Sequence, residues 1–289
     1  MPSPGVAISQ VVPLTYYAGG HPTSRLDDDA HAGFTVNVTV DLFAIAAVPA
    51  VSVSVVGSWP GATAVTQSNV ALTAGGNSVV ISIPASQTKA VQLWHPHGHG
   101  GQPMYNITTT LQTPSTRATP ATPPTARPST TAAAPPSPPP HHAAAAVVIR
   151  RVGFRHVALV TFNDTDPVAV KAAQSQEGSG SLTMMFRVNG AAVYARGGSM
   201  VPMDLLNGRL SAGAHRRVVQ SAAEGNMNIL RIWGGAVYMP PAFYEACDDF
   251  GVMLYHDMQF TGKAGASGRK SPLATENLLE DTDGLRRPP

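Results

Sequence analysis

Ten of the chain's 26 prolines lie between Pro114 and Pro140, in a run of Thr, Ala and Ser that holds only two charges, Arg117 and Arg127, and no aromatic side chain. Burying such residues does not offset the conformational entropy lost on folding, so residues 112–146 are expected to form a disordered insert. The stretch reads either as a passive linker or as a PxxP ligand at Pro136 to Pro139. Strand-like sequence on both sides puts the insert in a loop between two strands of one domain, where added length costs little.

The 289 residues suffice for roughly two domains. Charged residues make up 12%, against a usual share of about 25%, so much of the chain outside the insert is core. A net charge of +2, from 19 basic and 17 acidic residues, gives no electrostatic basis for a nucleic-acid partner or an anionic membrane surface. The single cysteine, Cys247, excludes an intramolecular disulfide and a multi-thiolate metal site. The most apolar stretch, Phe43 to Val56, contains Pro49, Ser52 and Ser54 and falls short of the roughly 20 apolar residues of a membrane helix. MPSPGVAISQVVPL has no basic n-region and no sustained apolar h-region, which points to an intracellular chain or one whose true start is missing.

Residues 1–33 show no period and are expected to be an irregular N-terminal segment. From Phe34 the pattern alternates: Phe34, Val36, Val38, Val40 and Leu42 share one face, and Thr35, Asn37, Thr39 and Asp41 the other. Val51, Val53 and Val55 repeat it, as do Val79 to Ile83 and Val91 to Trp94, with turn residues between. Val147 to Val160 resumes it after the insert, giving a β-sandwich over 34–165. Beyond about Gly180 the period changes. Val193 to Met200 reads as a strand, Ser211 as the cap of a helix through Glu224, and Asn228 to Trp233 as a second strand. Pro241 opens a helix that Gly251 ends, and Val252 to His256 is a third strand. Strand, helix, strand, helix, strand implies parallel strands with right-handed crossovers over 180–261, the first part of an α/β layer or barrel, and 262–289 reads as an irregular tail.

Active sites of such folds form at the carboxyl ends of parallel strands. Asp204 follows the first strand, Arg231 and Trp233 end the second, and Asp257 ends the third. Trp233 beside Gly234 and Gly235 suits a sugar-stacking platform or a packing role. Arg231 could orient a carboxylate or make a salt bridge at the rim. His95, His97 and His99 alternate in HPHGHGG, which fits metal ligands on one side of an extended chain or a structural turn. The five glutamates, Glu177, Glu224, Glu245, Glu276 and Glu280, offer no convincing catalytic pair.

Gln92 to Thr108, QLWHPHGHGGQPMYNIT, resembles the LWWP-x-G-x-G-x-Q-x-x-Y signature of β-mannosidases in glycoside hydrolase family 2. GFRHVALV, Gly153 to Val160, resembles the strand leading from that family's immunoglobulin-like sandwich into its TIM barrel. FRVNGAAVYARGGSMVPMDLL at Phe186 to Leu206 is similar to the family's F-K-V-N-G…N-W-I-P-A-D. NMNILRIWGGAVYMPPAFYEACDDFGVMLYHDM at Asn226 to Met258 is similar to N-M-N-x-L-R-V-W-G-G-G-I-Y…F-Y-x-x-C-D-E-x-G-I-x-V-W-Q-D. The resemblance implies a multidomain β plus α/β chain, an immunoglobulin-like β-sandwich followed by the N-terminal part of a (β/α)8 TIM barrel. It also implies retaining hydrolysis of terminal, non-reducing β-D-mannose from oligosaccharides, with no metal or organic cofactor.

By that resemblance Trp233 lines the sugar pocket, Arg231 sits beside the nucleophile, and Asp204 and Asp257 shape the subsite. Three positions depart: the family's tryptophan before I-P is Met200, its third glycine is Ala236, and W-Q-D is Tyr255-His256-Asp257. Similarity stops after the third strand, short of the family's acid/base and nucleophile glutamates, so no catalytic residue is assigned and the chain is expected to be a truncated, inactive β-mannosidase. The alternatives are a non-catalytic carbohydrate-binding or assembly module, or another activity of the family such as β-galactosidase. Sequons at Asn37, Asn106 and Asn163 fit the lysosomal or secretory route that the resemblance suggests.

Overall fold

The face predicted from alternation is the core. Phe34, Val36, Val38, Val40 and Leu42 are each at most 1% exposed along β2 (Phe34–Ala44). The computed structural model describes residues 5–85, 91–113, 145–161, 163–168, 171, 184–204, 206–235 and 237–257. β2 is the centre of an antiparallel sheet with β1 (Val6–Tyr17) on one side and β5 (Gly75–Ala85) on the other. A second antiparallel sheet runs β4 (Val65–Leu72), β3 (Val48–Gly57), β6 (Tyr105–Gln112), β7 (Ala145–Val152). Val53 and Val55 of one sheet and Ile81 and Ile83 of the other join the same buried cluster. At about 1.5–3 kcal/mol per large apolar side chain, this shared core is the main stabilising feature of the region.

Five expectations need correction. The segment 1–33, read as irregular, contains the twelve-residue β1. Its alternation is broken by a register shift between Ile8 and Gln10 and by Pro13, which an edge strand tolerates because its N–H side needs no partner. The insert is shorter than 112–146, because Gln112 pairs with Ala145 and Leu111 with Ala146 across a β6–β7 hairpin; residues 114–144 lie outside the described residues. Val91 to Trp94 is no strand. It pairs only through a parallel bridge from Leu93 to Phe154, and Val91, Leu93 and Trp94 are buried instead of extending a sheet. The runs Val147 to Val160 and Val193 to Met200 are each broken. The first splits into β7 and β8 (Val157–Val160), where Phe154 turns into the core, and the second into β10 (Ala191–Val193) and β11 (Gly197–Met200).

β8, β9 (Met185–Val188) and β10 form a small antiparallel ribbon. Its β9–β10 turn uses Asn189 (φ 50) and Gly190 (φ 77), and a side chain at Gly190 would collide with the Ser24 carbonyl. Asn189 is fully buried and ties three segments together: its Nδ2 donates to Trp94 O, its Oδ1 accepts from His156 N, and its carbonyl accepts from Leu26 N.

From Gly197 the last unit keeps the expected order of strand, helix, strand, helix, strand. β11, β12 (Ile229–Ile232) and β13 (Met253–His256) are parallel in that order, joined by α1 (Ala212–Glu224) and α2 (Pro241–Phe250). Ser211 Oγ accepts from Ala214 N at 3.2 Å, Pro241 occupies the first turn, and Gly251 closes α2 at φ 74. Val219, Ala222 and Ala223 of α1 and Phe243, Ala246 and Cys247 of α2 bury one face of the sheet through Leu230 and Ile232. The HPHGHGG loop joins this unit to the two-sheet region. Trp94 Nε1 donates to Asp248 O at 2.8 Å, His97 N to Gly251 O at 2.8 Å, and Asp249 bridges Arg151 of β7 and Arg216 of α1. Among the described residues, β-strand makes up most of the regular secondary structure.

Candidate functional site

The parallel register sets Ser199, Arg231 and Tyr255 side by side, so their side chains leave the sheet on the face away from the helices. Two residues further along the same face, Asp257 and Trp233 extend beyond the carboxyl ends of β13 and β12. Arg231 meets Asp257 with both prongs, Nη2 to Oδ2 at 2.5 Å and Nε to Oδ1 at 3.2 Å, while Nη1 donates to Ser199 Oγ at 3.3 Å. Gly234 N donates to the same Asp257 Oδ2 at 3.2 Å. A forked guanidinium–carboxylate contact fixes both planes, so this pair holds a rigid set of donors and acceptors at the mouth of the sheet.

Trp233 is 39% exposed, enough to leave part of the indole open to a ligand. Its ring packs on Gly235, where an added Cβ would come within 2.3 Å of the indole. Asp204 does not join this group: its Oδ1 accepts from Leu206 N at 2.9 Å and its Oδ2 lies 3.4 Å from Arg209 Nε. The face below the pair borders a groove of about 440 Å³ lined by Leu159, Phe186, Ser199, Arg231 and Tyr255, among others.

Sequence reasoning missed the aromatic stack behind the pair. His256 lies between Tyr238 and Tyr244, with ring centroids at 5.2 and 6.2 Å, and its Nε2 is 3.2 Å from the Tyr244 hydroxyl. Burial raises the Tyr244 pKa, keeping the phenol protonated. The i, i+3, i+4 spacing that placed Phe243 and Cys247 in the core also sets Tyr244 beside them, but nothing local marks His256 as its partner.

Other chemically capable residues are committed to structure. His95 is buried with Nε2 2.8 Å from Asp28, and among the described residues no group of three or more His, Cys, Asp and Glu side chains could hold a metal ion. Burial drives the Cys247 thiol well above its ordinary range, so it is no nucleophile at neutral pH. Asp164 and Arg187 form a buried two-pronged pair that anchors β9. Glu224 and Glu245 are exposed on the helices, and Glu177, Glu276 and Glu280 lie outside the described residues.

No protein-family profile matches the chain. It is 27% identical over 194 residues to a β-mannosidase of Capra hircus, an alignment covering 67% of this chain and 18% of that protein. It is 24% identical over 249 residues to β-mannosidase A of Neosartorya fischeri, covering 86% of this chain and 23% of that protein. Its fold is similar to that of a β-D-mannosidase from Dictyoglomus thermophilum, with TM-score 0.59 and 20% identity over 89% of this chain and 25% of that one. An exo-chitosanase from Amycolatopsis orientalis gives TM-score 0.57 and 19% identity over 87% of this chain and 22% of that one. The chain thus spans about a fifth of the length of the curated relatives it matches.

Proposed function

We propose that this chain, a β-mannosidase-like member of glycoside hydrolase family 2, carries part of the sugar subsite of a retaining glycosidase acting on terminal, non-reducing β-D-mannose. The observation that carries the proposal is the Arg231–Asp257 pair, with Gly234 N on the same carboxylate and Trp233 part-exposed beside it, on a chain similar to β-mannosidases. In this reading residues 34–165 are an immunoglobulin-like sandwich and 180–261 the N-terminal part of a TIM barrel. β1 adds an edge strand to the sandwich. Trp233 offers a ring face to a pyranose, Arg231 orients a carboxylate, Asp257 holds Arg231 in place, and Asp204 shapes the rim from the far side of its own turn.

Retaining hydrolysis needs two carboxyl groups about 5–5.5 Å apart, one as nucleophile and one as proton donor. Neither Glu224 nor Glu245 faces the pair, and Asp257 is engaged by Arg231 and Gly234. The 289-residue chain alone therefore binds a terminal mannoside weakly and turns none over. The test is purified chain with an aryl β-mannoside, together with NMR titration of methyl β-mannoside. Shifts confined to Trp233 and Gly234 with no hydrolysis support the reading, whereas turnover abolished by Glu276→Gln overturns it. A non-catalytic carbohydrate-binding role is the second reading, favoured by the part-exposed Trp233 without a carboxylate pair. Selective binding of β-mannoside oligosaccharides by the chain, with the chain a complete natural product, would establish it. A secretory or lysosomal route accords with sequons Asn106 and Asn163, both exposed. Its test is a mobility shift on deglycosylation of the protein from a secreting host.

A further inference from the structure

The loop between β12 and α2 opens with Trp233, and contacts at both of its ends tie it to the end of β13. At the near end Gly234 N donates to Asp257 Oδ2 at 3.2 Å, the carboxylate that Arg231 also grips. At the far end Met239 N donates to the Tyr244 hydroxyl at 3.2 Å, and that hydroxyl lies 3.2 Å from His256 Nε2. Tyr238 adds a stacked ring, with 5.2 Å between centroids and 27° between its plane and that of His256. His256 in turn holds Asp257. Its Nδ1 lies 2.9 Å from Asp257 O, while Asp257 N donates to Ile232 O at 3.0 Å.

The direction of each bond follows from the groups that make it. A carbonyl oxygen only accepts, so His256 Nδ1 carries the proton and donates to Asp257 O. In the neutral ring Nε2 is then the acceptor, and the Tyr244 O–H donates to it while the same oxygen accepts from Met239 N. The three bonds run in one sense from Met239 through Tyr244 and His256 to Asp257, and hydrogen bonds chained in this way strengthen one another. A segment held at both ends has less freedom to lose when a ligand docks on it, and the part-exposed ring on this segment is Trp233.

We propose that His256 is a positioning residue: by accepting from Tyr244 and donating to Asp257 O it closes the loop onto β13 and so fixes the Trp233 ring for its ligand. The identity of that ligand rests on the sugar-subsite reading, whereas the clamp itself rests on the contacts of His256 alone. If the ring served only as packing, its stack on Tyr238 and Tyr244 would suffice and its two nitrogens would be interchangeable with carbon.

The experiment compares the full 289-residue chain with His256→Phe, His256→Gln and Tyr244→Phe. His256→Phe keeps the stack and loses both hydrogen bonds, His256→Gln can set an amide oxygen where Nε2 accepts, and Tyr244→Phe removes only the hydroxyl. Trp59 and Trp94 are buried, at 3% and 1% exposure, so acrylamide quenching reports chiefly on Trp233. From its starting exposure of 39%, quenching of Trp233 is expected to rise by up to about twofold in His256→Phe and Tyr244→Phe, and by less in His256→Gln. Ring nitrogen resonances of neutral His256 in the unaltered chain should show the Nδ1–H tautomer. Methyl β-mannoside should bind His256→Phe about two- to tenfold more weakly, the worth of one net hydrogen bond. If the unaltered chain binds no mannoside while tautomer and quenching behave as expected, the positioning role is supported and the sugar reading is overturned. Should His256→Phe fail to fold, the tautomer and Tyr244→Phe decide. An Nε2–H tautomer, unchanged quenching in both His256→Phe and Tyr244→Phe, or His256→Gln behaving as His256→Phe each overturns the proposal.

Discussion

The two-sheet region and the parallel α/β unit bury their sheets differently. In the first, the inner faces of both sheets close on one another around Val38, Val53, Ile83 and Phe154. In the second, Leu230 and Ile232 are covered by helices while the opposite face leaves Tyr255 exposed and Ile229 and Arg231 half-exposed. Parallel sheets are ordinarily covered on both faces, so the α/β unit draws on its junction with the sandwich for support that the sandwich does not need in return. The difference teaches that the candidate site sits on the less self-sufficient part of the molecule. Its three tryptophans make this testable: Trp59 is in the sandwich core, Trp94 at the junction, and Trp233 on the open face.

The largest effect should come from Phe154→Ala. This ring is fully buried and packs against Phe34 and Trp59, each at 5.2 Å between centroids. Truncation should remove about 3–5 kcal/mol, a large part of the 5–15 kcal/mol typical of a whole domain. Denaturant unfolding followed by Trp59 and Trp233 should show both signals moving to lower concentration. A shift in Trp59 alone would break the comparison by showing that the α/β unit stands unaided.

A second large effect is expected at the ribbon between the regions. Asp164 is buried, and its carboxyl is held below the ordinary range by hydrogen bonds from Arg187, against the opposing effect of burial, with further help from His21. Because the folded-state value is depressed, the pair's contribution is complete above the unfolded carboxylate value of about 4 and is lost as pH falls through the folded value. Asp164→Asn should lower stability by about 3–5 kcal/mol at neutral pH, by leaving Arg187 buried without its counter-charge. It should also flatten the acid limb of the stability profile, measured by urea midpoints from neutral pH down to pH 3.

How much of this was legible in the sequence depended on whether the signal was local. The face of β2 could be read from alternation, and both helices from Ser211, Pro241 and Gly251, because caps and periods are properties of neighbouring residues. β1 was not legible: Pro13 and a register shift hide a strand that exists because β2 offers it an edge. At the site, the ends of parallel strands pointed to Arg231 and Asp257, which pair, and to Trp233, two residues beyond Arg231, but also to Asp204, which a turn binds to Leu206 and Arg209. The Tyr238–His256–Tyr244 stack depends on distance through space and left no trace in spacing.

Gly251→Ala tests the junction itself. Gly251 has a left-handed φ of 74, and a methyl group would approach His97 N to 2.6 Å. The conformational part alone costs about 1–2 kcal/mol. The contact adds displacement of the HPHGHGG loop, so Trp94 should become more accessible to quencher while Trp59 remains protected.

The smallest effect is the sharpest test of one-way dependence. Ser211→Ala removes the hydroxyl that accepts from Ala214 N, leaving an orphan donor at the start of a thirteen-residue helix, and should cost about 1 kcal/mol. Nothing at Ser211 touches the two-sheet core, so the loss falls wholly on the α/β unit. If that unit leans on the sandwich without supporting it, Trp233 fluorescence and helical circular dichroism should lose their midpoint by a few degrees while the Trp59 transition holds. If all three fall together, the regions unfold as one cooperative body, and the open face of the parallel sheet imposes no separate weakness on the candidate site.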